Sequence, residues 1–181
     1  SQNFSISLWF NESVTSSNSQ IFSSGTVASN LISISSKNGS LNIYIANSGY
    51  INIGSVSLNT WYHVVLTVDN TTAKVYINNG SATTNTVGSI SSGSGNLAKI
   101  GDLSLVSGYF FNGKIDAVAV FDYVLTDGTG GTVNQIAALY GSSSTGIGNP
   151  MSLSTKPVAM YNLGDKSAFN GANYLVPNIA A

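Results

Sequence analysis

The sequence predicts an all-β protein, a two-sheet antiparallel sandwich of jelly-roll type with one short C-terminal helix near residues 132–140. Apolar residues alternate with polar ones at period two in several runs, which is the pattern of strands with one buried face. Clusters of Ser, Asn and Gly separate these runs, as turns do in a meandering sheet. A chain of 181 residues is long enough for one such sandwich and a tail.

The first strand is predicted at the start of the chain. Four alternating apolar residues share one of its faces: Phe4, Ile6, Leu8 and Phe10. Trp9 lies on the opposite face. Short strands follow at residues 21–22, 31–34, 41–45 and 50–53. The dipeptide Asn38-Gly39 predicts a hairpin turn between two of them, because both residue types tolerate a positive φ.

A hairpin at residues 61–78 is the strongest local signal in the chain. One face of its first strand carries Tyr62, Val64, Leu66 and Val68. The other face carries Trp61, His63, Val65, Thr67 and Asp69. The polar run 69–72 supplies side-chain acceptors for a turn, and residues 74–78 run back before a second turn at Asn79-Gly80.

Two later segments complete the predicted sandwich. Residues 97–102 form a further strand, and residues 108–121 form an aromatic-flanked turn that leads into an apolar strand. Thr132-Val133-Asn134-Gln135 has the form of a helix capping box. One helical face then follows, made of Val133, Ile136, Leu139 and Tyr140. Gly141 stands where such a helix would end.

The central hairpin and the Asn112-Gly113-Lys114-Ile115-Asp116 segment resemble laminin-G-like domains of the concanavalin A-like superfamily. The resemblance covers about residues 4–141 and implies the same jelly-roll sandwich. A departure from the family pattern is the insertion at residues 127–131, before the predicted helix.

The chain divides into three predicted parts: a laminin-G-like sandwich at 1–141, a Gly/Ser/Pro linker at 142–157 and a tail at 158–181. The tail resembles the opening strand of a laminin-G-like module, whereas the N-terminus resembles the third strand. Either the chain is cut from a tandem array out of phase with its domains, or the tail strand completes this sandwich from behind. The tail also resembles inter-domain segments in structural proteins of marine tailed phages.

Composition excludes several classes of function. Only 7% of the residues are charged, the net charge is -1, and the six basic residues are all Lys, so we expect no nucleic-acid partner. The chain has no Cys, which excludes disulfides and thiolate metal sites. No apolar run approaches the roughly 20 residues that cross a bilayer, so no membrane span is predicted.

The sequence predicts no enzyme. Glycosidases of this superfamily use closely spaced carboxylates, but Glu12 is the only glutamate, and Asp116 and Asp122 stand six residues apart. His63 is the only histidine, and the chain lacks the G-x-S-x-G turn that would present a nucleophilic serine. A glycoside hydrolase or lyase remains an option only if its active residues lie outside this sequence.

Binding residues are predicted among loop aromatics and aspartates. Aromatic rings stack on the apolar faces of sugars, and the candidates for such a platform are Tyr109, Phe110, Tyr50 and Trp9. The alternative for these rings, and for Phe111, is burial in the core. The family resemblance implies calcium, with Asp116 as the better ligand candidate and Asp102 as the weaker one. The alternative for both carboxylates is capping of a turn.

These observations lead to one main functional hypothesis and one alternative. The first is a non-enzymatic structural or adhesive module of a phage virion, in multimeric or tandem form, on the virion surface or outside the cell. Its partners would be other virion or extracellular subunits, with a glycan as a second kind of partner. The alternative is a secreted bacterial carbohydrate-binding or adhesion domain.

Overall fold

The structure is a computed structural model that describes residues 2–91, 98–106, 108–142, 146–163, 168–169, 174–175 and 178–180. Parts of the predicted Gly/Ser loop at 88–96, of the linker at 142–157 and of the tail at 158–181 lie outside the described residues. Among the described residues, no helix has the length and apolar character that would let it cross a membrane.

The described strands follow one another through most of the chain. They are β1 (Asn3–Glu12), β2 (Ser19–Ser24), β3 (Ile32–Lys37), β4 (Ser40–Ile45), β5 (Ile51–Ser55), β6 (Trp61–Asp69), β7 (Thr72–Ile77), β8 (Thr83–Thr86), β9 (Ala98–Ile100), β10 (Gly113–Phe121), β11 (Ala159–Tyr161), β12 (Ala168–Phe169) and β13 (Tyr174–Leu175). The α-helix of the described part is α1 (Gln135–Tyr140), and short 3-10 turns lie at residues 28–30, 129–131 and 150–152.

Two antiparallel sheets form the sandwich. One has six strands in the order β11-β10-β1-β6-β7-β8, and the other has five in the order β5-β4-β3-β2-β9. Strands β12 and β13 pair with each other in a separate two-stranded ribbon. The predicted two-sheet antiparallel sandwich of jelly-roll type is confirmed.

The inner faces of the two sheets enclose the main hydrophobic core, as the period-two pattern predicts. Strand β1 contributes Ile6, Leu8 and Phe10, and β6 contributes Val64, Leu66 and Val68. The five-stranded sheet contributes Ile34 from β3 and three alternating residues from β4: Leu41, Ile43 and Ile45. All of these side chains are buried.

The predicted hairpin turns form where left-handed backbone is tolerated. Asn38 and Gly39 have φ of 51° and 75° between β3 and β4, and Asn70 has φ of 53° between β6 and β7. The turn after β7 lies one residue earlier than predicted. Its two central residues are Asn78 and Asn79, and both have a left-handed backbone. The N–H of Gly80 closes this turn on the carbonyl of Ile77 at 2.9 Å.

A second hydrophobic cluster lies on the outer face of the six-stranded sheet. The sheet contributes Val65, Tyr76, Ala119, Phe121 and Met160, and the segments that cover it contribute Leu125, Ile136, Leu139 and Leu153. Helix α1 and residues 150–153 therefore form a third layer over this sheet. The described residues form no comparable apolar cluster on the outer face of the five-stranded sheet.

The helix begins later than the capping box predicts. Asn134 is the N-cap, since its side-chain oxygen accepts the N–H of Ala137 at 2.8 Å. The side chain of Gln135 accepts the N–H of Thr126 at 3.0 Å instead of reaching back to Thr132. The prediction for Val133 was therefore wrong: this residue precedes the helix and is 77% exposed.

Two strand pairings of the structure could not be predicted from the alternation of apolar and polar residues. Strand β8 pairs with β7 although residues 83–86 carry no apolar alternation. Strand β11, which belongs to the predicted tail, pairs antiparallel with β10 and occupies the edge of the six-stranded sheet. The proposed domain boundaries and the tandem array remain predictions.

Replacing Ile136 with Ala tests the second cluster. Ile136 is 1% exposed, so we expect the free energy of unfolding to fall by about 2–4 kcal/mol, measured by urea denaturation. Val133→Ala is the matched control, because Val133 is 77% exposed and its truncation should change the free energy by less than about 0.5 kcal/mol. Equal effects of the two substitutions would contradict the packing described here.

Candidate functional site

The outer face of the five-stranded sheet, which we call the open face, carries polar and aromatic side chains. They alternate with the core residues of β2 to β5 and lie opposite one another across the strands: Gln20, Ser33, Ser35, Asn42, Tyr44 and Asn52. None of these side chains is aliphatic or acidic. Four of them are buried: Gln20, Ser33, Ser35 and Asn42. Tyr44 is partly exposed and Asn52 is exposed, and an aromatic ring can stack on a sugar while an amide hydrogen-bonds its hydroxyl groups.

A chain of hydrogen bonds fixes the polar groups of the open face. The hydroxyl of Ser33 donates to the Gln20 side-chain oxygen at 2.5 Å, and the Gln20 amide donates to Asn18 Oδ1 at 3.0 Å. The Asn18 amide then donates to the hydroxyl of Tyr50 at 3.3 Å. Gln20 and Ser33 are buried, whereas Tyr50 is 45% exposed. The network thus links the exposed ring of Tyr50 to buried side chains and restricts its motion. Less side-chain conformational entropy is then lost when a ligand binds.

Tyr50 stands beside a second ring and a cation. Its ring centroid lies 5.6 Å from that of Tyr44, with the two planes tilted by 59°. Lys37 Nζ lies 5.1 Å from the Tyr50 ring centroid. Tyr44, Tyr50 and Lys37 therefore form one contiguous patch on the open face, which we call the tyrosine patch.

Tyr109 and Phe110 lie in a loop that is hydrogen-bonded to β2. The carbonyl of Tyr109 accepts the N–H of Gln20 at 2.9 Å, and the carbonyl of Phe110 accepts the hydroxyl of Ser19 at 3.3 Å. Tyr109 is 38% and Phe110 is 65% exposed. Both rings are thus anchored through their backbones beside the strand that also holds the polar network of the open face.

Phe111 and Trp9 lie in other surroundings. Phe111 packs edge-on against Phe10 at the margin of the main core, with ring centroids 6.0 Å apart. Trp9 lies on the outer face of the six-stranded sheet, where its ring stacks on His63 at 5.0 Å and on Tyr140 of α1 at 5.6 Å. The structure therefore brings Tyr50, Tyr109 and Phe110 to the five-stranded sheet and Trp9 to the opposite side of the sandwich.

The two predicted calcium ligands take part in local hydrogen bonds. Asp102 Oδ1 accepts the N–H groups of Gly108 and Tyr109, both at 3.2 Å, and its Oδ2 lies 3.1 Å from Lys99 Nζ. Asp116 Oδ1 accepts the N–H of Ala117 at 2.7 Å. No group of three or more His, Asp or Glu side chains forms a metal cluster within the described ranges. Calcium binding at Asp116 or Asp102 remains a prediction.

Glu12 lies buried between the ends of the two sheets. It is 1% exposed, and its Oε2 accepts the hydroxyl of Ser36 at 2.7 Å. This hydrogen bond joins the end of β1 in one sheet to β3 in the other.

A cavity of about 770 Å³ lies between the sheets beside β9 and β11, away from the open face, and its walls are mostly apolar. Two polar clefts of about 290 and 370 Å³ share Asp127 as a wall. The Asp127 carboxylate accepts the hydroxyl of Tyr76 at 2.9 Å and the N–H of Thr129 at 3.0 Å. Hydrogen bonds from Thr129 hold the pKa of Asp127 below its ordinary value, so this carboxylate is ionised and already paired.

Sequence reasoning named Tyr50, Tyr109 and Phe110 as candidates. It did not name Tyr44, Lys37 and Asn18, which lie beside Tyr50 in the structure. Tyr44 could have been found from parity, since residues 41, 43 and 45 are the apolar face of its strand and residues 42 and 44 must face outward. Asn18 could not, because its contact with Tyr50 joins residues that are 32 positions apart.

Comparison with known proteins places this architecture in a family. A family model described as the concanavalin A-like lectin/glucanases superfamily, of the laminin-G type, matches residues 1–129. The chain belongs to this superfamily. The resemblance inferred from the hairpin and the Asn-Gly-Lys-Ile-Asp segment is thereby confirmed at the family level. A search of curated protein sequences gave no match.

Solved structures show the same superfamily fold. A "putative carbohydrate binding protein" from Bacteroides ovatus is 17% identical with a TM-score of 0.66, over 99% of this chain and 54% of that one. Domain 4 of the extracellular arabinanase AbnA from Geobacillus stearothermophilus, in complex with arabinotriose, is 21% identical with a TM-score of 0.59, over 69% and 63%. The CBM40 of the Ruminococcus gnavus IT-sialidase, bound to α2,3 sialyllactose, is 18% identical with a TM-score of 0.59, over 70% and 78%. This chain thus spans about half to two thirds of the first two, and at these identities the similarity shows the fold alone.

The buried histidine predicts a pH-dependent stability. His63 is 1% exposed, its Nε2 lies 2.8 Å from the Ser7 hydroxyl, and burial lowers its pKa from 6.5 to about 4. The unfolded state therefore binds a proton more readily than the folded state. The stabilisation by neutral His63 is complete above pH 6.5 and is lost as the pH falls from 6.5 to about 4, by up to about 3 kcal/mol.

Urea denaturation between pH 7 and pH 4 tests the role of His63, with His63→Gln as the comparison. Because the carboxylates titrate in both proteins, their effect cancels when the two free energies of unfolding are subtracted. We expect the free energy of unfolding of the native sequence to fall more steeply as the pH is lowered, and an equal fall in both proteins would contradict the prediction.

Proposed function

We propose that this chain is a non-catalytic carbohydrate-binding domain that binds saccharides on the open face. The observation that carries the proposal is the tyrosine patch beside the hydrogen-bonded amides of Asn18 and Gln20. A pyranose presents an apolar face of C–H groups and a rim of hydroxyl groups. Tyr44 and Tyr50 can pack against the first. The side-chain amides of Asn18 and Asn52, which are not buried, can bond the second.

The layered architecture supports the choice of this face. The outer face of the six-stranded sheet packs against α1 and residues 150–153, whereas the open face has no apolar layer over it among the described residues. The names of three proteins with the same fold mention carbohydrate binding, arabinotriose or sialyllactose. These names support a saccharide ligand for this chain without identifying one.

The polar character of the open face argues against a purely structural surface. A surface that pairs permanently with another subunit is usually enriched in aliphatic residues. The strands of the open face carry amides, hydroxyls and tyrosine instead. The phage-virion role, virion or extracellular subunits as partners, a multimeric or tandem assembly, and a virion-surface or extracellular location remain predictions.

A glycan array tests the proposal with the intact chain and two variants. We expect the native protein to bind at least one saccharide class and Tyr50→Ala to lose about tenfold or more in affinity, since burying an aromatic side chain contributes on the order of 1.5–3 kcal/mol. Trp61→Ala is the matched control, because Trp61 is 42% exposed but lies on the six-stranded sheet.

Two results on this array would count against the proposal. The first is that the folded native protein binds no saccharide. The second is that Tyr50→Ala and Trp61→Ala weaken binding equally, which would remove the open face as the binding surface.

A further inference from the structure

The tyrosine patch contains a cation that has no carboxylate partner among the described residues. Lys37 is exposed at the end of β3, and its Nζ lies 5.1 Å from the Tyr50 ring centroid. The ion pairs of the described part of the chain join Lys74 to Asp127 and Lys99 to Asp102. Neither involves Lys37. The ammonium group of Lys37 instead makes a cation–π contact with the ring of Tyr50.

A second lysine on the same sheet shows the contrast. Lys99 lies opposite Ser23 across β9 and β2, and its Nζ is 3.1 Å from Asp102 Oδ2. Its charge is therefore neutralised within the protein. The side chains that face outward from β2 to β5 around Lys37 are amides, hydroxyls and tyrosine, with no acidic residue among them. The open face consequently carries one uncompensated positive charge, and that charge lies at the edge of the proposed sugar platform.

We propose that the saccharide bound by this face is anionic, and that a carboxylate or sulfate group on it pairs with Lys37 Nζ while its ring packs on Tyr50. This inference rests on the proposed function of the open face. Lys37 lies over the ring itself, so a sugar that packs against Tyr50 brings its exocyclic substituents to the ammonium group. Charge complementarity then selects the substituent: an anion is attracted, and a hydroxyl gains only an ordinary hydrogen bond.

The contact with Tyr50 does not compete strongly with such a ligand. A cation–π contact at an exposed site is weak, whereas a hydrogen bond between ammonium and carboxylate or sulfate is charge-assisted and short. The ligand itself would displace water from the ammonium, which strengthens the pairing relative to one in bulk solvent. Binding should therefore weaken as salt is raised, because the site remains partly exposed.

The test uses the intact chain on an array of matched pairs, in which each carboxylated or sulfated saccharide stands beside its neutral parent. Methyl-esterified and free galacturonate oligosaccharides supply the carboxylate arm, and 6-sulfated and unsulfated lactosamine supply the sulfate arm. We expect the anionic member of at least one pair to bind about three- to fivefold more tightly than its parent. The arm that shows the preference identifies the anion.

Three lysine variants assign the preference to its residue. Lys37→Met should remove the difference within the pair, whereas Lys37→Arg should retain most of it. Lys114→Met is the matched control, because Lys114 is an exposed lysine on the six-stranded sheet and its loss changes net charge by the same amount. Lys114→Met should prefer the anionic member of each pair to the same extent as the native protein.

The failures of the two proposals are distinguishable. If neutral parents bind as tightly as their anionic partners, or if Lys37→Met keeps the preference, the anionic ligand is excluded while saccharide binding stands. If Lys114→Met reduces the preference as much as Lys37→Met, net charge rather than Lys37 is responsible and the inference fails. If no member of any pair binds, the inference fails; the proposed function fails with it only if the native protein also binds no saccharide on the glycan array.

Discussion

Packing on the outer face of the six-stranded sheet decides which side of this sandwich can meet a ligand. A sandwich has two outer faces, and the alternation of its strands makes each of them a distinct surface. Here one outer face carries apolar residues such as Val65 and Phe121, and α1 buries them with Ile136 and Leu139. The other carries amides, hydroxyls and tyrosines that need no such cover. The short helix therefore covers one sheet, and the proposed recognition takes place on the other.

The same division explains how a chain with so few charges can present a polar surface. With 7% charged residues, solvation and recognition must come from hydroxyl and amide groups. On the open face these groups bond one another, as in the series from Ser33 through Gln20 and Asn18 to Tyr50. In such a neutral setting we expect the ammonium group of Lys37 to influence ligand selectivity, since no carboxylate pairs with it among the described residues.

Much of this fold follows from local sequence, and the exceptions have physical causes. Period-two alternation identified the core faces of β1 and β6, and Asn-Gly chemistry identified the β3–β4 turn. The start of α1 was mispredicted because Gln135 bonds Thr126 rather than capping its own helix. Strand β8 lacked any apolar pattern, since an edge strand can be held by backbone bonds to one neighbour.

The site was harder to predict than the fold because long-range pairing assembles it. Aromatic residues in predicted loops could be proposed as exposed, and Tyr50 was proposed in this way. The residues that contact Tyr50 lie in or next to β2, β3 and β4, and the order of the strands in the sheet brings them together. Trp9 shows the converse, because its place on the second face was predicted correctly but the helix ring that stacks on it was not.

Chemical-shift mapping of the isotopically labelled protein tests the central claim most directly. The tightest saccharide from the array would be titrated into the protein while the side-chain amide signals of Asn18, Gln20 and Asn42 are followed. The account predicts that these signals and the backbone of β3 and β4 shift on binding, while those of α1 stay in place. Shifts confined to α1 and the strands beneath it would place the ligand on the opposite sheet and contradict the account.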